Sequence, residues 1–318
     1  MEKLKIVLTD CDTVNASDLD LSVFETLGEV VYYGETPQSL IAERIKDANV
    51  VICNKTVIGK AEIDAAPHLK LITLFATGYN NIDVAYARER GIDVCNAGVY
   101  STNAVAQHVF ALILNKASRA ADYDRVVKDG AWIRSRLFSL FSLPTEELCG
   151  KTLGIFGYGA IGSKVAEIGL AFGMNVIVYT RTPKEDSRVR FVSFDELLGE
   201  SDYLSLHCPL TPQTKERFGR EEFAKMKDGA YFINTARGGV INEAALREAL
   251  DSGKLSGAAV DVLTKEPMSE DCPLLGAPNI TLTPHIAWAP VETRRRVVDI
   301  VAANLRAFID GKPQNLVN

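Results

Sequence analysis

The stretch Leu153-Gly154-Ile155-Phe156-Gly157-Tyr158-Gly159-Ala160-Ile161-Gly162 decides the fold. Four apolar residues of strand character run into a Gly-x-Gly-x-x-Gly turn, and apolar residues at helical spacing then continue to Phe172. A glycine pattern alone says little; between a strand and a helix it reads as the phosphate turn of a dinucleotide-binding βαβ unit. Gly157 permits the tight strand-to-helix turn, Gly159 lets the backbone come close to a pyrophosphate, and Gly162 lets the helix lie near the strand. The helix start adds unpaired N–H groups and a partial positive charge. Gly157, Gly159, Ala160, Ile161 and Gly162 are therefore expected to line a cofactor site.

Working outward, short apolar runs alternate with helical patterns in both directions. Downstream, strands are expected at 152–156, 175–179, 203–207, 230–234, 257–261 and 280–283. Upstream, they are expected at 6–8, 30–32, 50–53, 71–74 and 93–95, with helices at 17–27, 37–46, 61–65 and 84–90 between them. Such alternation predicts an α/β fold, with parallel sheets covered by helices on both faces. A long helix is expected over 101–129, capped by Thr102 or Asn103 and stopped at Gly130. An irregular aromatic segment follows at 132–143. The last helix, 291–309, ends at Asp310-Gly311-Lys312-Pro313, a helix-stop sequence.

The 318 residues suit two domains, at about 100–200 residues each. The hydrophobic share of 47% and charged share of 24% are ordinary for a globular chain. A net charge of −6 argues against nonspecific binding to nucleic acid or to an anionic membrane. The six cysteines have no metal-ligand spacing and are expected as buried or half-buried free thiols in a reducing compartment. The first apolar run is short and ends in Asp10, so it reads as a strand, not a signal peptide. No apolar stretch has the roughly 18 residues of a membrane span, and a cytoplasmic enzyme is expected.

NAD sites usually carry an acid at the end of the second strand, to hold the ribose 2′-hydroxyl. Here Thr180 occupies that position and Arg181 follows it. No carboxylate would repel a 2′-phosphate, and a guanidinium binds one bidentately, with Lys184 and Arg188 adding charge. The cofactor is thus NAD(P), with NADPH favoured over NADH. Among the four histidines, His285 and His207 each follow a strand, where open α/β sheets place their chemistry, and position favours His285 modestly. His108 sits in an apolar helical stripe and reads as core, whereas His68 follows Pro67 in a turn. Arg237, at a strand end beside Gly238 and Gly239, suits a bidentate clamp on a carboxylate.

Taken together, Gly157–Gly162, Asn234-Thr235-Ala236-Arg237-Gly238-Gly239, Asp261…Glu266-Pro267 and Pro284-His285 resemble the D-isomer-specific 2-hydroxyacid dehydrogenases, over essentially the whole chain. The resemblance implies two doubly wound parallel-sheet domains. One is a flavodoxin-like substrate domain, 1–101 and 290–318; the other is a Rossmann nucleotide-binding domain, 102–289. It implies that Arg237 binds the substrate carboxylate and carbonyl, that His285 is the general acid/base, and that Glu266 pairs with it. An adjacent carboxylate favours a protonated imidazole, as reduction of a keto acid requires. On the same resemblance the cofactor residues extend to Cys208, Pro209, Thr214, Thr235, Ala236 and Asp261. The substrate residues extend to Thr77, Gly78 and Trp288, and a homodimer through the long helix and the 132–143 arm is implied.

Within that family, Leu74-Phe75-Ala76-Thr77-Gly78-Tyr79-Asn80-Asn81-Ile82-Asp83 and His285-Ile286-Ala287-Trp288 look like glycerate dehydrogenases, also called hydroxypyruvate reductases. Phosphoglycerate dehydrogenases carry an Arg in the substrate loop, and none occurs in 71–83. They also favour a regulatory tail beyond the point where this chain ends, Asn318. Formate dehydrogenases place a Gln shortly before the catalytic His, where this chain has Pro284. The expected substrate is a small 2-keto or 2-hydroxy acid: hydroxypyruvate and D-glycerate first, glyoxylate or another 2-keto acid as the alternative. A reading of another class is an NAD(H)-sensing protein like the corepressors of this fold; it expects a disordered tail, which this sequence does not carry.

Overall fold

A computed structural model of the chain describes residues 3–182 and 184–318. The chain divides into two compact units. One holds the residues through Ser101 together with Trp288–Asn318, and the other holds Thr102–Ala287. The second boundary lies two residues before the expected 290.

The first unit carries five strands: β1 (Lys5–Leu8), β2 (Glu29–Tyr32), β3 (Val50–Cys53), β4 (Leu71–Leu74) and β5 (Asp93–Cys95). All pair in parallel, in the order β2-β1-β3-β4-β5, which is the flavodoxin-like order. Side chains alternate across the sheet. Ile6, Leu8, Val50, Ile52 and Leu71 pack with Val297, Val301 and Leu305 of the last helix, Val291–Ile309. Val7, Val51, Ile72 and Val94 pack on the other face with Ile41, Ile45, Ile63 and Ala87 of three short helices. The final residues close onto the sheet edge: Val317 N donates to Val94 O at 2.9 Å, and Asn96 N to Asn315 O at 3.1 Å.

The expected helix over 17–27 is replaced by turns and a 3-10 segment, Ser22–Phe24. Local side chains compete for the backbone there. Asn15 Oδ1 accepts from the N–H groups of Asp18 and Leu19, Asp20 Oδ1 accepts from Ser22 N, and Ser17 has φ 64°.

The second unit carries seven parallel strands: β6 (Thr152–Phe156), β7 (Asn175–Tyr179), β8 (Arg190–Phe191), β9 (Tyr203–Leu206), β10 (Ala230–Asn234), β11 (Leu255–Val260) and β12 (Ile280–Leu282). Their order, β12-β11-β10-β9-β6-β7-β8, is the dinucleotide-binding order with one added edge strand. The order reverses between β6 and β9, beside the glycine turn. The long helix expected over 101–129 is two helices, Thr102–Ser118 and Ala120–Lys128, broken at Arg119 with φ 52°. Neither Thr102 nor Asn103 caps the start, because both lie inside the first turn, and the Thr102 hydroxyl is buried without a partner. Gly130 ends the second helix with φ 76°, the left-handed conformation glycine supplies at such stops. All six cysteines are free; Cys149 departs from expectation in being exposed. No helix among the described residues is long and apolar enough to cross a membrane.

Candidate active site

The glycine turn has the geometry a pyrophosphate needs. Gly157 has φ 99° and donates its N–H to Tyr179 O at 2.8 Å. A side-chain carbon on Gly157 would press on the His207 carbonyl, and one on Gly162 would run into the carbonyl of Gly157. Gly159 differs: a Cβ there would have no neighbour within 4 Å, so its outer side is open. Gly159 caps the helix Ala160–Ala171, whose first N–H groups lack intrahelical acceptors. At the end of β10, the Thr235 hydroxyl is buried and has no hydrogen-bond partner. An orphaned buried hydroxyl costs about 1–3 kcal/mol unless a ligand satisfies it. The open cradle and this orphan together fit a nicotinamide dinucleotide.

Other expected cofactor residues divide by their surroundings. Thr180 is half-buried and Arg181 is exposed, with no ion-pair partner for Arg181 among the described residues. Arg188, expected to add free charge, is instead engaged. It forks onto Asp186 at 2.9 and 2.7 Å, and Asp186 also accepts from Tyr158 Oη at 2.7 Å. Arg188 and then Tyr158 hold the Asp186 carboxyl well below the usual range. Thr214 Oγ1 donates to Pro209 O at 2.7 Å and so fastens the loop after β9. Cys208 is half-buried, and desolvation pushes its thiol up to about 11, leaving it neutral. Asp261 is committed inward: its carboxylate accepts from Thr283 Oγ1, Ile286 N and Ala287 N.

Three strand ends deliver Arg237, Glu266 and His285. Arg237 follows β10 and is half-buried. One guanidinium nitrogen donates to Ala236 O at 2.7 Å, and no carboxylate pairs with Arg237 among the described residues. Next to it, Gly238 is packed against the backbone of Leu263 and Thr264, so closely that no side chain fits. That approach draws the segment after β11 against the Arg237 turn. Glu266 closes the same segment by accepting from Leu263 N at 2.8 Å, and its other oxygen lies 2.6 Å from His285 Nδ1. His285 follows β12 with φ 55°, a conformation that costs a non-glycine residue about 1 kcal/mol or more. Its N–H donates to Asp261 O at 2.8 Å. With Nδ1 engaged, Nε2 is left without a partner among the described residues.

His207, the competing histidine, is a different object. Its Nε2 lies 2.9 Å from Ser205 Oγ, and loss of solvent lowers its pKa to about 3. It is a neutral, structural ring. His68 is exposed, in a turn, as expected. His108, expected in the core, instead lies 3.1 Å from Thr283 Oγ1 and 3.5 Å from Asp261 Oδ1. A signal was available: His108 stands four residues from both Ala104 and Leu112, which are buried, and a histidine in a buried stripe must find a polar partner.

In the first unit, Thr77 and Gly78 follow β4, the loop being fastened by Thr77 Oγ1 to Gly98 O at 2.5 Å and Asn96 Nδ2 to Thr77 O at 2.8 Å. Their backbone N–H groups have no acceptor among the described residues. Trp288 packs edge-on against Tyr100, with ring centres 6.4 Å apart.

Comparison with known proteins agrees with this geometry. The family model described as "D-isomer specific 2-hydroxyacid dehydrogenase, NAD binding domain" matches residues 110–287. A hydroxypyruvate reductase of Blautia hydrogenotrophica is 41% identical over 99% of this chain and 100% of its own. A glycerate dehydrogenase of Methylorubrum extorquens is 39% identical over 89% of each. A solved NADPH-dependent glyoxylate/hydroxypyruvate reductase from Sinorhizobium meliloti, in complex with NADP and malonate, superposes with a TM-score of 0.84 at 29% identity, covering 99% of this chain and 97% of that one.

Two outcomes follow. Gly238→Ala should push Leu263 and Thr264 away and misplace Glu266, lowering kcat roughly 10- to 100-fold in steady-state assays, since catalytic displacements of about 1 Å have that effect. His207 titrates near 6.5 when unfolded and about 3 when folded, so the unfolded chain takes up the extra proton between those values. Its contribution to stability is complete above pH 6.5 and is lost as the pH falls towards 3. Urea midpoints measured from pH 7 to 4 should therefore fall less steeply in His207→Gln than in the unaltered protein.

Proposed function

The chain belongs to the D-isomer specific 2-hydroxyacid dehydrogenase family, and we propose that it reduces hydroxypyruvate to D-glycerate, with NADPH preferred over NADH. The observation that carries this reading is Arg237. A half-buried guanidinium with no counter-ion among the described residues, drawn by Gly238 against the segment of the Glu266–His285 pair, suits an anionic substrate beside an acid/base. The bound nicotinamide would supply or accept the hydride at the 2-carbon. Arg237 holds the substrate carboxylate and polarises the carbonyl. His285 Nε2 gives its proton to the carbonyl oxygen in reduction and takes it back from the hydroxyl in oxidation. Glu266 fixes the orientation of the ring through Nδ1. In the first unit, the N–H groups of Thr77 and Gly78, without acceptors among the described residues, suit a carboxylate, and Trp288 is kept as a substrate-side residue on the family resemblance.

Gly157, Gly159, Ala160, Ile161 and Gly162 would hold the pyrophosphate, with Cys208, Pro209, Thr214, Thr235 and Ala236 completing the cofactor wall. The preference for NADPH rests on Arg181, whose guanidinium is exposed and unpaired among the described residues, and on Thr180 in the acid's usual place. Relatives named hydroxypyruvate reductase and glycerate dehydrogenase support the substrate. A homodimer is the occupant we assign to the 132–143 arm, where Ile133, Phe138 and Phe141 are 87%, 94% and 87% exposed. So much apolar surface on one segment marks an interface. A cytoplasmic setting is consistent with six free thiols.

Steady-state reduction of hydroxypyruvate, glyoxylate and pyruvate, each with NADH and NADPH, tests the assignment. Hydroxypyruvate should give the highest kcat/KM, and His285→Ala should lower it by roughly 10²–10⁴-fold, the usual contribution of a positioned acid/base. A clear glyoxylate preference would change the substrate, and near-normal turnover by His285→Ala would remove His285 from its role. Arg181→Ala should weaken NADPH by about 10- to 100-fold, the equivalent of a lost charged hydrogen bond, and NADH far less. Equal weakening of both in fluorescence titrations would place the 2′-phosphate elsewhere.

A further inference from the structure

We propose that His108 is a positioning residue for His285, acting through Thr283 and Asp261. The inference rests on the reading of His285 as the acid/base and goes beyond it to what holds that residue in place. The direction of the hydrogen bonds follows from the donors available. Asp261 is fully buried on its side chain, and its Oδ1 accepts from Thr283 Oγ1 at 2.5 Å. A hydroxyl has one proton. With that proton given to Asp261, Thr283 Oγ1 is an acceptor towards His108, and His108 Nε2, 3.1 Å away, must donate to it. The relay therefore runs from His108 Nε2 to Thr283 Oγ1 to Asp261 Oδ1.

At its far end the relay meets the turn that carries His285. Asp261 Oδ1 accepts from Ile286 N at 2.9 Å, Oδ2 accepts from Ala287 N at 3.0 Å, and Asp261 O accepts from His285 N at 2.8 Å. These bonds enforce the left-handed backbone of His285, φ 55°. A buried carboxylate keeps its charge only when its lone pairs are matched by donors. No Lys or Arg lies within ion-pair distance of Asp261 among the described residues; His108, 3.5 Å from Oδ1, is the one cation-forming side chain there. Removing the His108 donor frees the Thr283 hydroxyl to reorient and leaves Asp261 short of support. The turn then relaxes, and His285 loses its alignment with Glu266. The glycine turn and Arg181 are untouched, because neither His108 nor Thr283 contacts them.

The test compares His108→Leu, which removes the donor, with His108→Gln, which retains an N–H donor, in the full chain. His108→Leu should lower kcat for keto-acid reduction by about tenfold or more, with KM and the cofactor Kd within about twofold, and His108→Gln should recover most of the loss. In ¹⁵N-histidine NMR the Nδ1–H signal of His285, bonded to Glu266, should broaden or shift upfield in His108→Leu and return in His108→Gln. If His108→Leu does not fold, Thr283→Val breaks the same relay and takes its place. An unchanged kcat and NMR signal in the donor-less variant, or failure of His108→Gln to rescue, overturns the proposal. If the unaltered protein reduces no keto acid, the functional reading fails, and the NMR comparison still decides whether His108 positions His285.

Discussion

Parallel pairing constrains everything else in the second unit. When all seven strands run one way, every carboxyl end lies along one edge of the sheet. Side chains more than a hundred residues apart in sequence are thereby delivered to the same edge. Gly157 follows β6, Thr180 follows β7, Arg237 follows β10, Glu266 lies beyond β11, and His285 lies beyond β12. None of these residues needs its own scaffold; each needs only a loop of the right length at a strand end.

Within that frame, contacts of backbone dimensions set the fine geometry. The absence of a side chain at Gly238 lets two loops touch, and the absence of one at Gly162 lets the helix start close on the glycine turn. Buried carboxylates do the complementary work by collecting backbone N–H groups. Asp261 gathers the turn after β12. In the first unit Asp10 does the same for the segment after β3, accepting from Asn54, Lys55 and Thr56 N at 2.6–3.1 Å. A carboxylate so bonded is stable without water, and it leaves the loop one conformation.

Charge is sorted with equal care. Arg188 is neutralised by Asp186, while Arg237 and Arg181 have no protein counter-ion among the described residues. His207 is held neutral by desolvation, whereas His285 has a carboxylate on one nitrogen and none of the described residues on the other. The unmatched groups are the ones a phosphate or a carboxylate would complete. That pattern sorts the side chains better than residue type does, since the matched and the unmatched groups each contain both Arg and His.

The sequence by itself determined the parallel architecture and the glycine turn, and it singled out Arg237, Glu266 and His285 as the proposed site residues. These are legible because they rest on local signals: apolar runs of strand length, glycines where a turn needs them, and charged residues just past strand ends. It read most strands to within a residue or two, and it missed β8, a two-residue edge strand too short to leave a pattern. Tertiary structure decided the rest. The turn-forming bonds of Asn15 and Asp20 overrode helical periodicity at 17–27, and Arg119 broke a helix the pattern treated as continuous. Only folding could show that His207 is a neutral ring beside Ser205, that Asp261 faces inward, and that His108 stands against Thr283. Those roles depend on how much water each group loses and, for Asp261 and His108, on which groups meet across 22 to 175 positions of chain, and neither quantity is written in the residues' order.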